Sequence, residues 1–284
     1  MSGPGADLIY DVGPQPRYFV ESLARGLSVL AAFTPGRVEL SLREIAKAAR
    51  VTNPSALRIA YTLAQLGYLT RNPISKGYRL GPNILSLGMA SLSSMTLIDI
   101  ADPFLQELRD RTEENVKCAV LYGTEMVYIA RYPSRVHPSN SIFVGTRLVA
   151  HNTSMGRAIL AYLPPEEAWE IIKRSRRERL TDKTITDVSA IMAELQRTRE
   201  RGYAVNDQGV TLEHRSIAAP LINARGRPVS AINISVSASR ASLEEMEQRL
   251  ARELLKTAHD ISRLLPPQIE GMLETGELIG ALAD

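Results

Sequence analysis

Between Ser41 and Gly67 the apolar residues fall at helical spacing in two short blocks. In the first, Leu42, Ile45, Ala46 and Ala49 share one face. Ser41 and Glu44 stand at the spacing of a capping box at its start. Val51 and Thr52 are β-branched and mark a turn. Asn53 suits the N-cap of a second helix, and Pro54 its first position. Leu57, Ala60, Leu63, Ala64 and Leu66 form the expected inward stripe, and Gly67 ends the helix. Two alternating segments follow, Tyr68–Thr70 and Tyr78–Leu80, with Pro73, Ser75 and Gly77 between them. Helix, turn, helix and hairpin in this order predict a winged helix-turn-helix. Its second helix would offer Thr52, Asn53, Ser55, Ala56, Arg58, Ile59 and Tyr61 to a DNA major groove. Arg71, Lys76 and Arg79 would set positive charge beside phosphates.

The period changes farther along the chain. Val20–Phe33 is an amphipathic helix, and Pro82–Met95 reads as a linking helix. Leu97–Thr112 is helical. Val116–Leu121 and Met126–Arg131 are β-rich around Gly123-Thr124, a hairpin signal, and Ser141–Val144 is a further strand candidate. Helices are expected from Thr153 or Ser154 to Leu163, over Glu166–Arg174, and from Asp187 to a stop at Gly202. Strands are expected at Tyr203–Val205, Ser216–Ile222 and Val229–Val236, before a last helix over Ser242–Leu265. Helices flanking a mostly antiparallel sheet predict an α+β domain behind the all-α winged module.

Charge sharpens the contrast between the two parts. Residues 17–80 hold ten Lys and Arg against three Asp and Glu, a net of +7, whereas all 284 residues sum to +3. The basicity is concentrated where DNA contact is expected. It weighs against a third reading, in which the helix-turn-helix mediates only protein contact. No apolar run reaches the ~18–20 residues of a membrane span. The first residues lack the charge and apolar pattern of a secretory signal. One cysteine, Cys118, allows no intramolecular disulfide and no cysteine cluster. A cytoplasmic protein without metal or cofactor is the expectation.

Catalytic motifs do not emerge. Ser154 lies in NTSMG rather than G-x-S-x-G, and the four histidines lack metal-ligand spacing. No phosphate-binding G-x-x-x-x-G-K-[ST] loop is present, so an enzyme is only a remote alternative. His151 reads as a capping or hydrogen-bonded loop histidine, and Arg174–Arg179 as a solvated basic helix end.

Several segments together resemble the IclR-type family of bacterial transcription factors. They are SLARGLSVLAAF, LREIAKAARVTNPSALRIAYTLAQLGYL, YRLGPNILSLG, HNTSMGRAILAYLPPEE, ERGYAVND and HRSIAAPLINARGRPVSAINIS. ESLARGL and YRLGP are similar to the branch that controls aromatic-acid catabolism. The resemblance covers about residues 17–265 and implies a winged helix-turn-helix at 17–81, a linker helix at 82–96 and a GAF-like effector-binding domain at 97–265. Residues 1–16, with three Gly and three Pro, read as a mobile arm, and 266–284 as a tail without a packed role. The resemblance further implies dimers or dimers of dimers on palindromic operators, released by a small organic acid, with activation as the alternative.

The strand from Ala231 to Ser237 alternates, with Ile232, Ile234 and Val236 on one face and Asn233, Ser235 and Ser237 on the other. By pattern alone the polar face is a wet one. The resemblance instead assigns the effector to Asn233, Ser235, Ser154, Met155, Gly156, Asn206, His214 and Ser216. In that reading Ser154 to Gly156 would present helix amides to a carboxylate.

Overall fold

The computed structural model describes residues 19–34, 36–93, 96–138, 142–267 and 269. The arm at 1–16 and most of the tail at 266–284 lie outside them. The chain forms two compact units that divide between residues 94 and 95.

The first unit contains helices α1 (Glu21–Ala31), α2 (Leu42–Ala48) and α3 (Asn53–Gln65). The hairpin strands β1 (Leu69–Arg71) and β2 (Tyr78–Leu80) follow, then helix α4 (Pro82–Ser93). Ser41 and Glu44 close the capping box on α2 in both directions. The turn comes one residue earlier than the sequence pattern predicts. Thr52, not Asn53, caps α3, its hydroxyl accepting from the Ser55 amide at 3.4 Å. Gly67 ends α3 with φ 73°, a left-handed conformation that costs glycine little. Val29, Leu40, Ile45, Ala46, Ala56, Ala60, Leu69 and Tyr78 make the core of this unit. The small alanines let α2 and α3 pack closely.

The second unit begins with helix α5 (Thr96–Thr112). An antiparallel sheet of six strands follows, in the order β5-β4-β3-β8-β7-β6. The strands are β3 (Asn115–Tyr122), β4 (Glu125–Tyr132), β5 (Arg147–Val149), β6 (Ala204–Asp207), β7 (His214–Ile222) and β8 (Pro228–Ser237). Helices α6 (Ser154–Leu160), α7 (Pro165–Arg174) and α8 (Val188–Arg201) intervene, and α9 (Leu243–Ser262) closes the unit. The strand candidate at 141–144 is not one. Residue 141 lies outside the described set, and Val144–Gly145 form a turn in which Gly145 has φ 87°. Backbone hydrogen bonds to β4 start at Gly145, and the regular ladder at Arg147.

Period-two alternation separates the faces of the sheet. Val116, Cys118, Ile217, Ile232, Ile234 and Val236 are buried on the side of α5 and α9. Ala119, Met126, Tyr128, Ala218 and Ala231 face α6 and the apolar layer of α7 and α8 behind it. The β3–β4 ladder carries a bulge: Cys118 pairs Ala130, but Ala119 pairs Tyr128, so β4 has one extra residue there. Among the described residues no single helix is long and apolar enough to cross a membrane.

Candidate functional site

The face α3 leaves exposed is rotated from the one expected. Ala56 is fully buried and Ile59 packs against the same core. These two therefore anchor α3 and do not face a groove. Leu57 and Leu66, expected inside, are about half exposed. At about 100° per residue, burying Ala56 and Ala60 turns Pro54, Leu57, Arg58 and Tyr61 outward together. Thr52, Asn53, Arg58 and Tyr61 are exposed as expected, and Ser55 is half-buried. Leu57 is the outward residue that apolar periodicity misassigns.

The hairpin cations are exposed yet engaged. Arg79 Nε lies 2.6 Å from Glu39 Oε2. Lys76 Nζ donates to the Pro73 carbonyl at 2.7 Å. The Arg71 guanidinium lies 5.7 Å from the Tyr78 ring centre.

In the second unit, strand register gathers a polar patch on the face toward α6. Asn233 stands opposite Lys117, and Lys117 opposite Arg131. In the next row Ser235 stands opposite Ser216. Ser154, at the start of α6, meets this row: its hydroxyl lies 2.8 Å from that of Ser216. Asn233 and Ser235 are buried, so this face of β8 is not a wetted surface. The Asn233 side-chain oxygen Oδ1 is buried without a hydrogen-bond partner among the described residues. Such a group is costly to leave unmet and favours a donor from elsewhere. His214 is half-buried, opposite Ser237 at the end of the same face.

Lys117 is the residue the sequence reading passes over. It is buried in a strand, and no hydrogen bond or ion pair to a described residue neutralises it. Burial, with the nearby Arg131 guanidinium, pushes its ammonium down to about 8. Arg131 lies 5.1 Å from the ring centre of Phe143, and Tyr128 is buried on the same face. Two cations flank amide and hydroxyl groups over aromatic and apolar walls. That set of groups has the chemistry to pair with an organic carboxylate. A lysine inside the run Asn115–Tyr122 is the signal that exposes it.

Three expected residues serve the scaffold instead. Asn206 donates to the Asn152 carbonyl and accepts from the Gly209 amide, so both ends of its side chain are engaged. Met155 is fully enclosed in the apolar layer. Gly156 gives its amide to the Thr153 hydroxyl at 2.9 Å, so that amide is not presented to a ligand. A Cβ on Gly156 would lie 2.0 Å from the Ala150 carbonyl oxygen. Glycine is required by this close approach.

The His151 imidazole is neither a cap nor hydrogen-bonded to any described residue. It is fully buried in the 3₁₀ turn Ala150–Asn152, with both ring nitrogens unpartnered. Desolvation, then Arg157 and Arg177, push its imidazole down to about 4, so it is neutral at pH 7.

A winged helix-turn-helix followed by an α+β unit with a buried cationic patch on its sheet is the layout of a ligand-sensing DNA-binding regulator. Family comparison gives the same class. The family described as "Bacterial transcriptional regulator IclR C-terminal" matches residues 89–263, and "IclR helix-turn-helix domain" matches residues 22–73. The chain belongs to the IclR family of bacterial transcriptional regulators.

It is similar to the Pca regulon regulatory protein of Pseudomonas putida, with 35% identity over 87% of this chain and 84% of that protein. It is 30% identical to the p-hydroxybenzoate hydroxylase transcriptional activator of Acinetobacter baylyi, over 87% and 92% of the two chains. The crystal structure of an IclR family transcriptional regulator from Brucella abortus superposes with a TM-score of 0.74 at 30% identity. It covers 90% of this chain and 96% of that one.

Proposed function

We propose that the chain is a non-enzymatic regulator of a catabolic operon, a repressor released by a small organic acid, with an aromatic acid as the favoured effector. The observation that carries this reading is Lys117, a buried cation without a carboxylate partner among the described residues, one strand from the unpartnered Asn233 Oδ1. The effector carboxylate lies between Lys117 and Arg131. Asn233, Ser235, Ser216 and Ser154 orient its polar substituents, and Tyr128 and Phe143 flank its ring. Among the similar regulators, the p-hydroxybenzoate hydroxylase transcriptional activator of Acinetobacter baylyi carries an aromatic acid in its name. That supports the ring.

The operator face is Thr52, Asn53, Ser55, Arg58 and Tyr61, with Leu57 added, and Arg71, Lys76 and Arg79 on the backbone. Residues 82–96 connect the reader to the sensor. Effector shifts the equilibrium only by binding two arrangements unequally.

Gel-shift titration with the DNA upstream of the chain's own gene tests the first half: no binding at low salt would sink it. A thermal-shift screen of aromatic and short aliphatic acids tests the second. A stabilising acid should lose its effect in Asn233→Leu/Ser235→Leu. Undiminished stabilisation of that variant would remove the pocket from consideration.

The assembly we propose is a homodimer or dimer of dimers on a palindrome. Helix α4 carries no charged residue and exposes Leu85, Leu87 and Met89, each more than half accessible. On a monomer such a strip is a liability. Leu85→Glu/Leu87→Glu should lower the mass seen by analytical ultracentrifugation and abolish operator binding. A wild-type protein that sediments as a monomer would refute the assembly.

A further inference from the structure

We propose that Glu39 is the positioning residue of the wing, and that Ile74 at the wing tip is the side chain it presents to the DNA minor groove. The proposal rests on the DNA-binding reading. Glu39 lies between α1 and α2, remote in sequence from the hairpin. Its carboxylate accepts from Asn72 Nδ2 at 3.2 Å, from the Ser75 hydroxyl, and from Arg79 Nε at 2.6 Å. Beside it, Leu40 and Tyr78 exchange both backbone hydrogen bonds, at 2.9 and 2.8 Å. The segment carrying Glu39 is thereby bonded to the wing through backbone and side chain.

The turn itself is closed on its own polar groups. Asn72 Oδ1 accepts from the amides of Ile74 at 2.9 Å and Ser75 at 3.4 Å. The Ser75 hydroxyl accepts from the Gly77 amide at 3.3 Å. A Cβ on Gly77 would lie 2.5 Å from Glu39 Oε1, so glycine lets the carboxylate reach under the turn. The hydrogen bonds from Ser75 and Asn72 and the Arg79 cation hold the Glu39 carboxyl below its usual range.

Ile74, after Pro73, is 91% exposed at the apex of this braced turn. A branched apolar side chain held in water by so many bonds is pre-organised for contact. Branched apolar wedges of this kind enter minor grooves and open base steps. The carboxylate would repel phosphates, and Arg79 offsets it. Positioning, rather than charge, is then the reason for an acid here.

The full-length protein is tested by fluorescence anisotropy on a duplex that the wild type selects from a random pool, at several salt concentrations. Ile74→Ser, a change at an exposed site, should weaken binding about tenfold with the salt slope unchanged, since no cation is lost. Glu39→Ala should also weaken binding, although removing an acid would by charge alone tighten it. The double variant should bind no worse than Glu39→Ala, because both changes remove one contact. Binding of Ile74→Ser within twofold of wild type, tighter binding by Glu39→Ala, or additive losses would each overturn the proposal. A wild type that selects no duplex would instead fail the DNA-binding reading, and this assignment with it.

Discussion

Lys117→Met is expected to raise the melting temperature of the effector-free protein and to abolish its response to effector. The two results have one cause. The buried ammonium is pushed down from 10.5 to about 8. At pH 7 the folded state therefore holds a charge it would hold more easily unfolded, a penalty of order 3 kcal/mol. Methionine fills similar volume without the charge. The gain corresponds to a rise of about 5 °C or more by scanning calorimetry.

The pH dependence follows from the sign of that shift. Between about 8 and 10.5 the unfolded chain binds more protons than the folded one. The wild type therefore gains stability from this group as pH rises through that window, and the variant lacks the gain. Effector affinity runs the other way. A carboxylate needs the ammonium, so affinity should fall by up to about tenfold per pH unit once pH passes about 8. Isothermal titration at pH 7 and pH 9 measures it. A variant that still binds effector, or that melts below the wild type, would remove Lys117 from the pocket.

Gly156→Ala should damage the sensory unit more than any other single methyl addition in α6. The added Cβ would stand 2.0 Å from the Ala150 carbonyl oxygen, and the atoms within reach are backbone. Neither partner can rotate away. Either the 3₁₀ turn moves, taking Asn152 from Asn206 and His151 from its enclosure, or α6 lifts from the sheet and Ser154 leaves Ser216. Overpacking of this kind costs ~3 kcal/mol, or about 6–12 °C in a protein of this size. Gly88→Ala is the control: nothing lies within 4 Å of its added Cβ, and it sits inside α4. Helix propensity there favours alanine by about 1 kcal/mol. A Gly156→Ala protein melting within a degree of the wild type would show that the turn is soft.

Local chemistry made much of the fold legible. The Ser41–Glu44 box, the Gly67 and Gly202 stops and the alternation of β8 are short-range signals, and each lies where its residues place it. What escaped depends on packing. Alanine and leucine count alike as apolar in a periodic pattern. The pattern therefore cannot foresee that Ala56 and Ala60 would take the close contact and leave Leu57 outside. Asn206 and Asn233 are the same residue type in similar strands, yet one is engaged at both ends and the other has an orphaned oxygen. The Gly209 amide after β6 and the Asn152 carbonyl of the 3₁₀ turn separate them. Lys117 was visible as a letter, but its pairing with Arg131 needed the register of β3 on β4.

That register contains the bulge between Cys118 and Ala119, and it fixes how this chain must be compared with its relatives. Upstream of Ala130 the extra residue exchanges inside for outside along β4. Tyr128 joins Arg131 on the face toward α6, three positions away rather than two or four. A relative lacking that one residue would keep the partner of Ala119 on the same face through a regular ladder, one position nearer to Arg131 in sequence. Aligned without a gap, an inward residue of one regulator would be matched to an outward residue of the other. A shared lining would then read as a divergent one, and the bulge fixes where the gap belongs.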